Sequence, residues 1–383
     1  MPFSSLRSRI GVPQILALAL LLVFAGQCLW LMVYLPLSEM ESFQIESGLL
    51  QLERLAKAGG RTHSPLAPLV AGLAARLSGA EKHIGELNAY RVAVRAPFLI
   101  AGLLLGASVW YVARRLYGNV GGYVALILYC FSPVMVGWAS RAGPEILGAW
   151  GAFGVVFTAI AVAHTLYAPR EVVLWNWRRI LLLGVSIAMC VGARFTLWIV
   201  LVPALAFMLW VGHRRRGAAL VILAASCAIA LLLLWAVYSF RPAVYGQALA
   251  QADWLGLRAA GFSSSAVADV FGPFFLDNGV GLVLLLGVTL GTFVAWKHTR
   301  FFGTAAPLIV AVLLLAVAAL MNLDAFPYLL TALPFLMVFM AGVSADLLES
   351  RYAVVANAVV GGVLIANAML DIYGLAQLTT HSR

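Results

Sequence analysis

The stretch QILALALLLVFAGQCLWLMVYLPL, residues 14–37, runs directly into SEMESFQIESGLLQLERL, residues 38–55. The first segment carries no charge and exceeds the ~20 residues a helix needs to cross ~30 Å of hydrocarbon. The second is studded with acids. Arg7 and Arg9 precede the apolar run, as they would in a secretory signal. A signal's apolar core is shorter, ~7–15 residues, and ends in a small-residue cleavage site. Neither feature is present, so the run reads as a retained first span with a cytoplasmic N-terminus.

The rest of the chain repeats the first segment far more often than the second. It is 63% hydrophobic and 10% charged, with a mean hydropathy of +0.98. A soluble domain of this length does not have that composition. Further apolar runs fall at 92–111, 120–138, 146–167, 180–191, 196–211, 218–240, 280–296, 305–321, 327–343 and 353–373, giving about eleven spans with the first. Backbone groups in lipid must bond internally, so the runs are helices, and the alternating strands of an outer-membrane barrel are absent. The predicted fold is an all-α polytopic membrane helical bundle, one membrane-embedded domain over residues 1–383 with no separate soluble domain. The short runs on either side of Arg194 predict a shallow or broken hairpin. Residues 37–55 and 65–77 predict amphipathic helices lying at the interface, the first with apolar Phe43, Ile45, Leu49, Leu50 and Leu52 among its acids.

Charge orders the loops. Arg114 and Arg115, then Arg170, Arg178 and Arg179, then Arg214, Arg215 and Arg216, then Lys297 and Arg300 fall in alternate loops, which the positive-inside rule assigns to the cytoplasm. Eleven of the fifteen acids then fall outside: Glu39, Glu41, Glu46, Glu53, Glu81, Glu86, Glu145, Asp253, Asp269, Asp277 and Asp324. Acids contribute little to topology, so their clustering points to an outward-facing polar site. The formal charge of +10 suits anionic lipid or a phosphate-bearing substrate. No basic-aromatic module for nucleic acid is visible. Cys28, Cys130, Cys190 and Cys227 all lie in apolar runs without a CxxC pair, as small core residues do.

Four groups of residues carry candidate chemistry. Glu39 and Glu41 stand at the exit of the first span, where a partly desolvated carboxylate serves as a general base. Residues two apart point in roughly opposite directions on a helix, so one of the two faces a site. His63 precedes Ser64 and Pro65, an N-cap and first-turn proline, and would lie at the positive end of that helix as neutral imidazole. Arg141 and Glu145 share a short outer loop, as a site pair or as an ion pair fixing two helices. Arg91, Arg95, Arg141, Arg194, Arg241 and Arg258 are outer arginines whose forks suit phosphate, Arg95 and Arg194 being the deepest. The six histidines are scattered, with no paired metal-ligand spacing, while the acids leave oxygen ligands for a divalent ion. No nucleotide-binding motif occurs.

The same positions resemble those of the polytopic GT-C glycosyltransferases, on the bacterial branch related to protein O-mannosyltransferases and the lipid A aminoarabinose transferase. The acidic first loop is followed by His63-Ser64-Pro65-Leu66, similar to the family's H-P-P-L. Arg95-Ala96-Pro97 opens a helix that closes in Ala113-Arg114-Arg115-Leu116-Tyr117-Gly118, like the family's R-x-P helix ending in A-R-R-L-F-G. Phe131-Ser132-Pro133 leads to Ser140-Arg141 and Glu145, and Tyr328-Leu329-Leu330 precedes Leu333-Pro334. The resemblance implies transfer of a sugar from a polyprenyl-phosphate carrier at the outer face of a bacterial inner membrane. It implies Glu39 or Glu41 as base, Glu145 as a second acid, and His63, Arg91, Arg95, Arg141, Arg194 and Arg241 as substrate contacts, with no cofactor required. Some positions depart from the pattern. Glutamates replace the family's aspartates, Ser64 replaces a proline, and Phe326-Pro327 stands where an arginine precedes the late tyrosine. These departures leave a second reading, a non-catalytic subunit of a larger membrane complex on the same fold.

Overall fold

The first apolar run forms a single helix, α1 (Val12–Tyr34), with Pro13 in its first turn. The computed structural model describes residues 11–52, 65–166, 177–237, 240–241, 246, 272, 279–295, 301–320, 326–350 and 353–381. Among them 92% are helical and there is no strand.

After a short link come α2 (Glu39–Leu52) and α3 (Leu66–Ser78), helical where the sequence placed two amphipathic helices. They meet backbone to backbone at Gly48 and Gly72. A Cβ on Gly48 would fall onto the Pro68 carbonyl, and one on Gly72 onto the Gly48 backbone. The inward stripe of α2 is Glu41, Gln44, Ile45, Gly48 and Leu49, while Met40, Phe43 and Leu50 face outward. Ile45 and Leu49 point in, but Phe43 and Leu50 point away from the bundle, and the polar Glu41 takes an inward place.

The runs at 92–111 and 120–138 form one helical segment, α4 (Arg91–Cys130), bent back on itself. Gly118 turns the chain with φ 82°, a left-handed conformation that favours glycine. Folding back puts the Tyr129 hydroxyl on the Gly102 carbonyl at 2.7 Å. Gly106 leaves room for this, since a Cβ there would stand 2.7 Å from the Tyr129 ring. The third span ends sooner than expected. Ser132 caps a separate short helix, α5 (Pro133–Ala139), accepting from the Met135 N–H, with Pro133 in its first turn.

Next come α6 (Pro144–Thr165) and α7 (Trp177–Ala193), packed closely through Gly151 and Gly154 against Cys190 and Ser186. The predicted broken hairpin is present. Arg194 is extended (φ −155°), followed by a 3-10 helix, Phe195–Val200, and α8 (Leu201–Val211). Then follow α9 (Arg216–Val237), α10 (Gly279–Ala295), α11 (Phe301–Leu320), α12 (Phe326–Leu348) and α13 (Ala353–His381).

α12 is the axis of the bundle: every residue from Pro327 to Ala345 is buried. A helix apolar all round belongs there. Tyr117 ties it to its neighbours, with its ring against Gly342 and its hydroxyl on the Gly303 carbonyl at 2.7 Å. By contrast α1, α9 and α13 leave most of their apolar surface uncovered, with Leu22, Trp30, Val221, Leu232, Val354 and Met369 exposed. Six helical segments among the described residues are long and apolar enough to span a membrane. The chain is an integral membrane protein. One end of the bundle carries Glu41, Arg95, Ala142 and Glu145. The opposite end carries the arginine loops, where Arg215 donates to the Leu166 carbonyl and Arg179 to that of Ala161.

Candidate functional site

At the Glu41 end, the link after α1 is held by two arginines from the start of α4. Arg91 donates to the Val33 and Asn88 carbonyls. Asn88 Oδ1 in turn accepts the Leu37 N–H at 2.8 Å. Arg95 is 2% exposed. Its Nη1 donates to Met32 O (3.3 Å) and Leu35 O (2.8 Å), and its Nη2 to Pro36 O (2.8 Å). Its Nε reaches Glu41 Oε1 at 2.7 Å and Nη2 also reaches Glu41 Oε2 at 2.8 Å. A guanidinium has five N–H donors, and five acceptors meet them here. Cations at a helix C-terminus also complement its dipole.

Glu41 is as fully engaged. Oε1 also accepts the Ala142 N–H at 2.9 Å, and Oε2 accepts the Ser38 N–H at 2.9 Å and Ser38 hydroxyl at 3.1 Å. The Ser38 Oγ accepts the Glu41 N–H in return at 3.3 Å, closing a capping box at the start of α2. Burial, which alone raises a carboxyl's pKa, is outweighed by the Arg95, Ser38 and Ala142 hydrogen bonds and the Arg95 charge, so Glu41 lies below the ordinary carboxylate range. Glu39, on the outer side of the same turn, is exposed. The frame joins four pieces of chain: the end of α1, the start of α2, the start of α4 and the 140–143 turn.

That turn leads into the second part of the site. Arg141 is exposed, its Cζ 5.5 Å above the Trp138 ring. Trp138 packs on Phe326 at the start of α12, with centroids 4.9 Å apart. Glu145 lies in the first turn of α6. A narrow cleft is lined by Pro144, Glu145, Arg194, Leu197, Pro327 and Thr331. The structure therefore brings Glu145 and Arg194 into one cleft, with Arg141 on the loop leading into it. Beyond the Arg194 corner, Gly192 packs beside Leu66 and Leu234. Both line an apolar groove of about 390 Å³ with Leu69, Val185, Met189, Leu233 and Val237.

Of the remaining residues predicted from sequence, Arg241 is exposed beyond the end of α9. His63 and Arg258, with Ser64, lie outside the described residues. α3 starts at Leu66, after Pro65. No group of three or more His, Cys, Asp or Glu residues comes together among the described residues. Ser38, Asn88 and Ala142 were not singled out in the sequence. The Ser38-x-x-Glu41 spacing is a capping-box signal that points to the first of them.

The family of dolichyl-phosphate-mannose-protein mannosyltransferases matches residues 62–240. ArnT from Cupriavidus metallidurans, solved bound to undecaprenyl phosphate, is similar in structure with a TM-score of 0.61 and 14% identity, over 86% of this chain and 59% of that one. The fold is that of the GT-C superfamily. A second GT-C structure, the archaeal oligosaccharyltransferase AglB from Archaeoglobus fulgidus in complex with an inhibitory peptide and a dolichol-phosphate, matches with a TM-score of 0.56 and 14% identity, over 96% of this chain and 56% of that one. The same enzyme tethered to an acceptor peptide gives 0.60, over 95% and 55%. This chain thus spans less than two thirds of the length of each. No curated protein matches it by sequence.

Proposed function

We propose that this GT-C protein transfers a sugar from a polyprenyl-phosphate donor to an acceptor at the membrane face that holds the Glu41 end. We take that face to be the outer one of a bacterial inner membrane, because the arginine loops lie at the other end. The observation that carries the reading is the presence of Glu145 and Arg194 in the lining of one cleft, with an apolar groove on the other side of the Arg194 corner. An isoprenoid chain suits a groove lined by leucines, valines and a methionine, and a phosphate leaving group suits a guanidinium.

In this reading the acceptor oxygen attacks the anomeric carbon as its bond to the phosphate oxygen breaks. The acceptor's proton passes to the Glu145 carboxylate, and the carrier departs as polyprenyl phosphate, its charge met by Arg194 with Arg141 at the cleft mouth. Glu39 is the exposed acid of the first loop. Glu41 and Arg95 are positioning residues, because neither has a lone pair or donor to offer unless their frame opens. His63, Arg91 and Arg241 stand outside this assignment.

Native mass spectrometry of the purified protein with undecaprenyl phosphate tests the first half. Wild type retains the lipid, and Arg194→Ala weakens retention about tenfold, the loss of a charge-assisted contact. Release of undecaprenyl phosphate from a sugar-charged carrier in native membranes tests the second. Glu145→Gln keeps lipid binding but slows release about a hundredfold or more. Lipid binding by wild type without turnover of any charged carrier supports the subunit reading instead. No binding at all sinks both.

A further inference from the structure

The inward stripe of α13 is Val360, Leu364, Asn367, Asp371 and Leu375. Asn367 is satisfied, its Nδ2 donating to the Phe131 carbonyl at 2.9 Å. Asp371, one turn further, is 2% exposed and neither of its carboxyl oxygens has a hydrogen-bond partner among the described residues. On α1, which packs against α13, both polar atoms of the Gln27 side chain are likewise buried without a hydrogen-bond partner. Asp371 is close enough to Cys28, the next residue, for its charge to act on that thiol. Two unanswered polar side chains thus belong to one seam inside the bundle.

Among the described residues no basic group answers them. The two ion pairs among the described residues are Arg76–Glu81 and Arg95–Glu41. Arg91 and Arg95, the basic residues of α4 at this end, are bonded to α1 carbonyls, Asn88 and Glu41, and Arg141 lies over Trp138. The other titratable side chains on elements packed against α13 are Cys28 and Tyr34 on α1, Tyr123, Tyr129 and Cys130 on the near arm of α4, and Tyr328 and Asp346 on α12. α5 and α10 carry none. An ionised carboxylate inside hydrocarbon with no counter-charge costs several kcal/mol, and such residues in membrane spans serve ions or protons.

We propose that Asp371, with the Gln27 carboxamide on the facing helix, is an intramembrane binding site for one small cation, a proton or a sodium ion. The site is independent of the transfer reading but stands directly behind its outer turn. The Cys28 thiol donates to the Val136 carbonyl at 3.6 Å, and the Ser140 hydroxyl donates to the same oxygen at 2.6 Å. Ser140 opens the turn that presents Arg141 and delivers the Ala142 N–H to Glu41. Emptying the site places a bare charge one layer behind that turn.

The test uses the full-length protein in lipid nanodiscs. Dicyclohexylcarbodiimide, an apolar reagent for protonated carboxyls, is added in choline or sodium medium, and adducts are mapped by peptide mass spectrometry. The expected result in choline is an adduct on Asp371 and none on exposed Glu39. An adduct that survives sodium identifies the proton, and one that sodium suppresses identifies sodium. Infrared difference spectra between wild type and Asp371→Asn, which keeps the side chain's shape, decide the matter where the reagent does not reach. The carbonyl band of a protonated carboxyl is expected in choline. Neither adduct nor band in either medium overturns the proposal.

Discussion

Glu41 and Arg95 meet through seven contacts with backbone and Ser38 besides their own two-point pairing, so each is costly to replace alone. Glu41→Gln leaves a buried guanidinium without its counter-charge, and a loss of about 3–5 kcal/mol is expected. The apparent Tm in detergent measures it. Removing both charges with Glu41→Leu and Arg95→Leu should cost less than the sum of the single changes. The pH dependence has a definite sign. Glu41's carboxyl is lowered in the folded protein, so its stabilisation is complete above the ordinary carboxylate value of ~4. It is lost as pH falls through the lower folded value. A Tm titration from neutral to acid should show a steeper acid decline in wild type than in Glu41→Gln. From the sequence, Glu39 and Glu41 were equivalent candidates. Only the fold separates them, by turning Glu41 inward and bringing Ala142 to it across 101 residues of chain.

Among the elements, helices were legible and their breaks less so. Apolar length marks a span because the hydrocarbon thickness fixes it, which is why each expected run is helical over most of its described residues. The short α5 was hidden inside the 120–138 run, because Phe131-Ser132-Pro133 is too brief an interruption to change the hydropathy. The capping serine and first-turn proline were the available signal. Which face of α2 packs inward was not readable from its apolar residues. At an interface both lipid and bundle accept apolar groups, and the decision falls to Glu41 and the glycine contact. Close glycine contacts give the element-scale prediction. Gly342→Val on α12 drives a side chain into Tyr117, whose Cζ would stand 2.6 Å from even a Cβ. Overpacking of this kind costs about 1–3 kcal/mol. Gly287→Val on α10, with nothing within 4 Å, should leave the Tm unchanged.

At the scale of the whole molecule, the asymmetry of charge predicts orientation. With Glu39→Cys at one end and Gly217→Cys at the other, a membrane-impermeant maleimide applied to intact spheroplasts should label the first and spare the second until the membrane is opened. Cys28, Cys130 and Cys190 are buried and add little background. The reverse pattern would place the cleft in the cytoplasm and remove the outer-face reading. The motif order along the chain foreshadowed the GT-C fold, while the assembly of the cleft did not follow from it. Glu145 and Thr331 come from two helices and Arg194 from the extended corner after α7, and their meeting depends on α12 running through the centre of the bundle.

The Glu41 frame also constrains how the protein is made. Its parts emerge from the ribosome in sequence: the α1 carbonyls and Ser38 first, then Arg95, and Ala142 last. When α1 has entered the bilayer, its terminal carbonyls await a cation still to be synthesised, and the acidic loop has nothing to fasten to. The frame can close only after both arms of the α4 hairpin have been inserted and the 140–143 turn has been made. Assembly of this end of the protein is therefore a late event in biogenesis, and the first loop, although translated early, is among the last parts to settle.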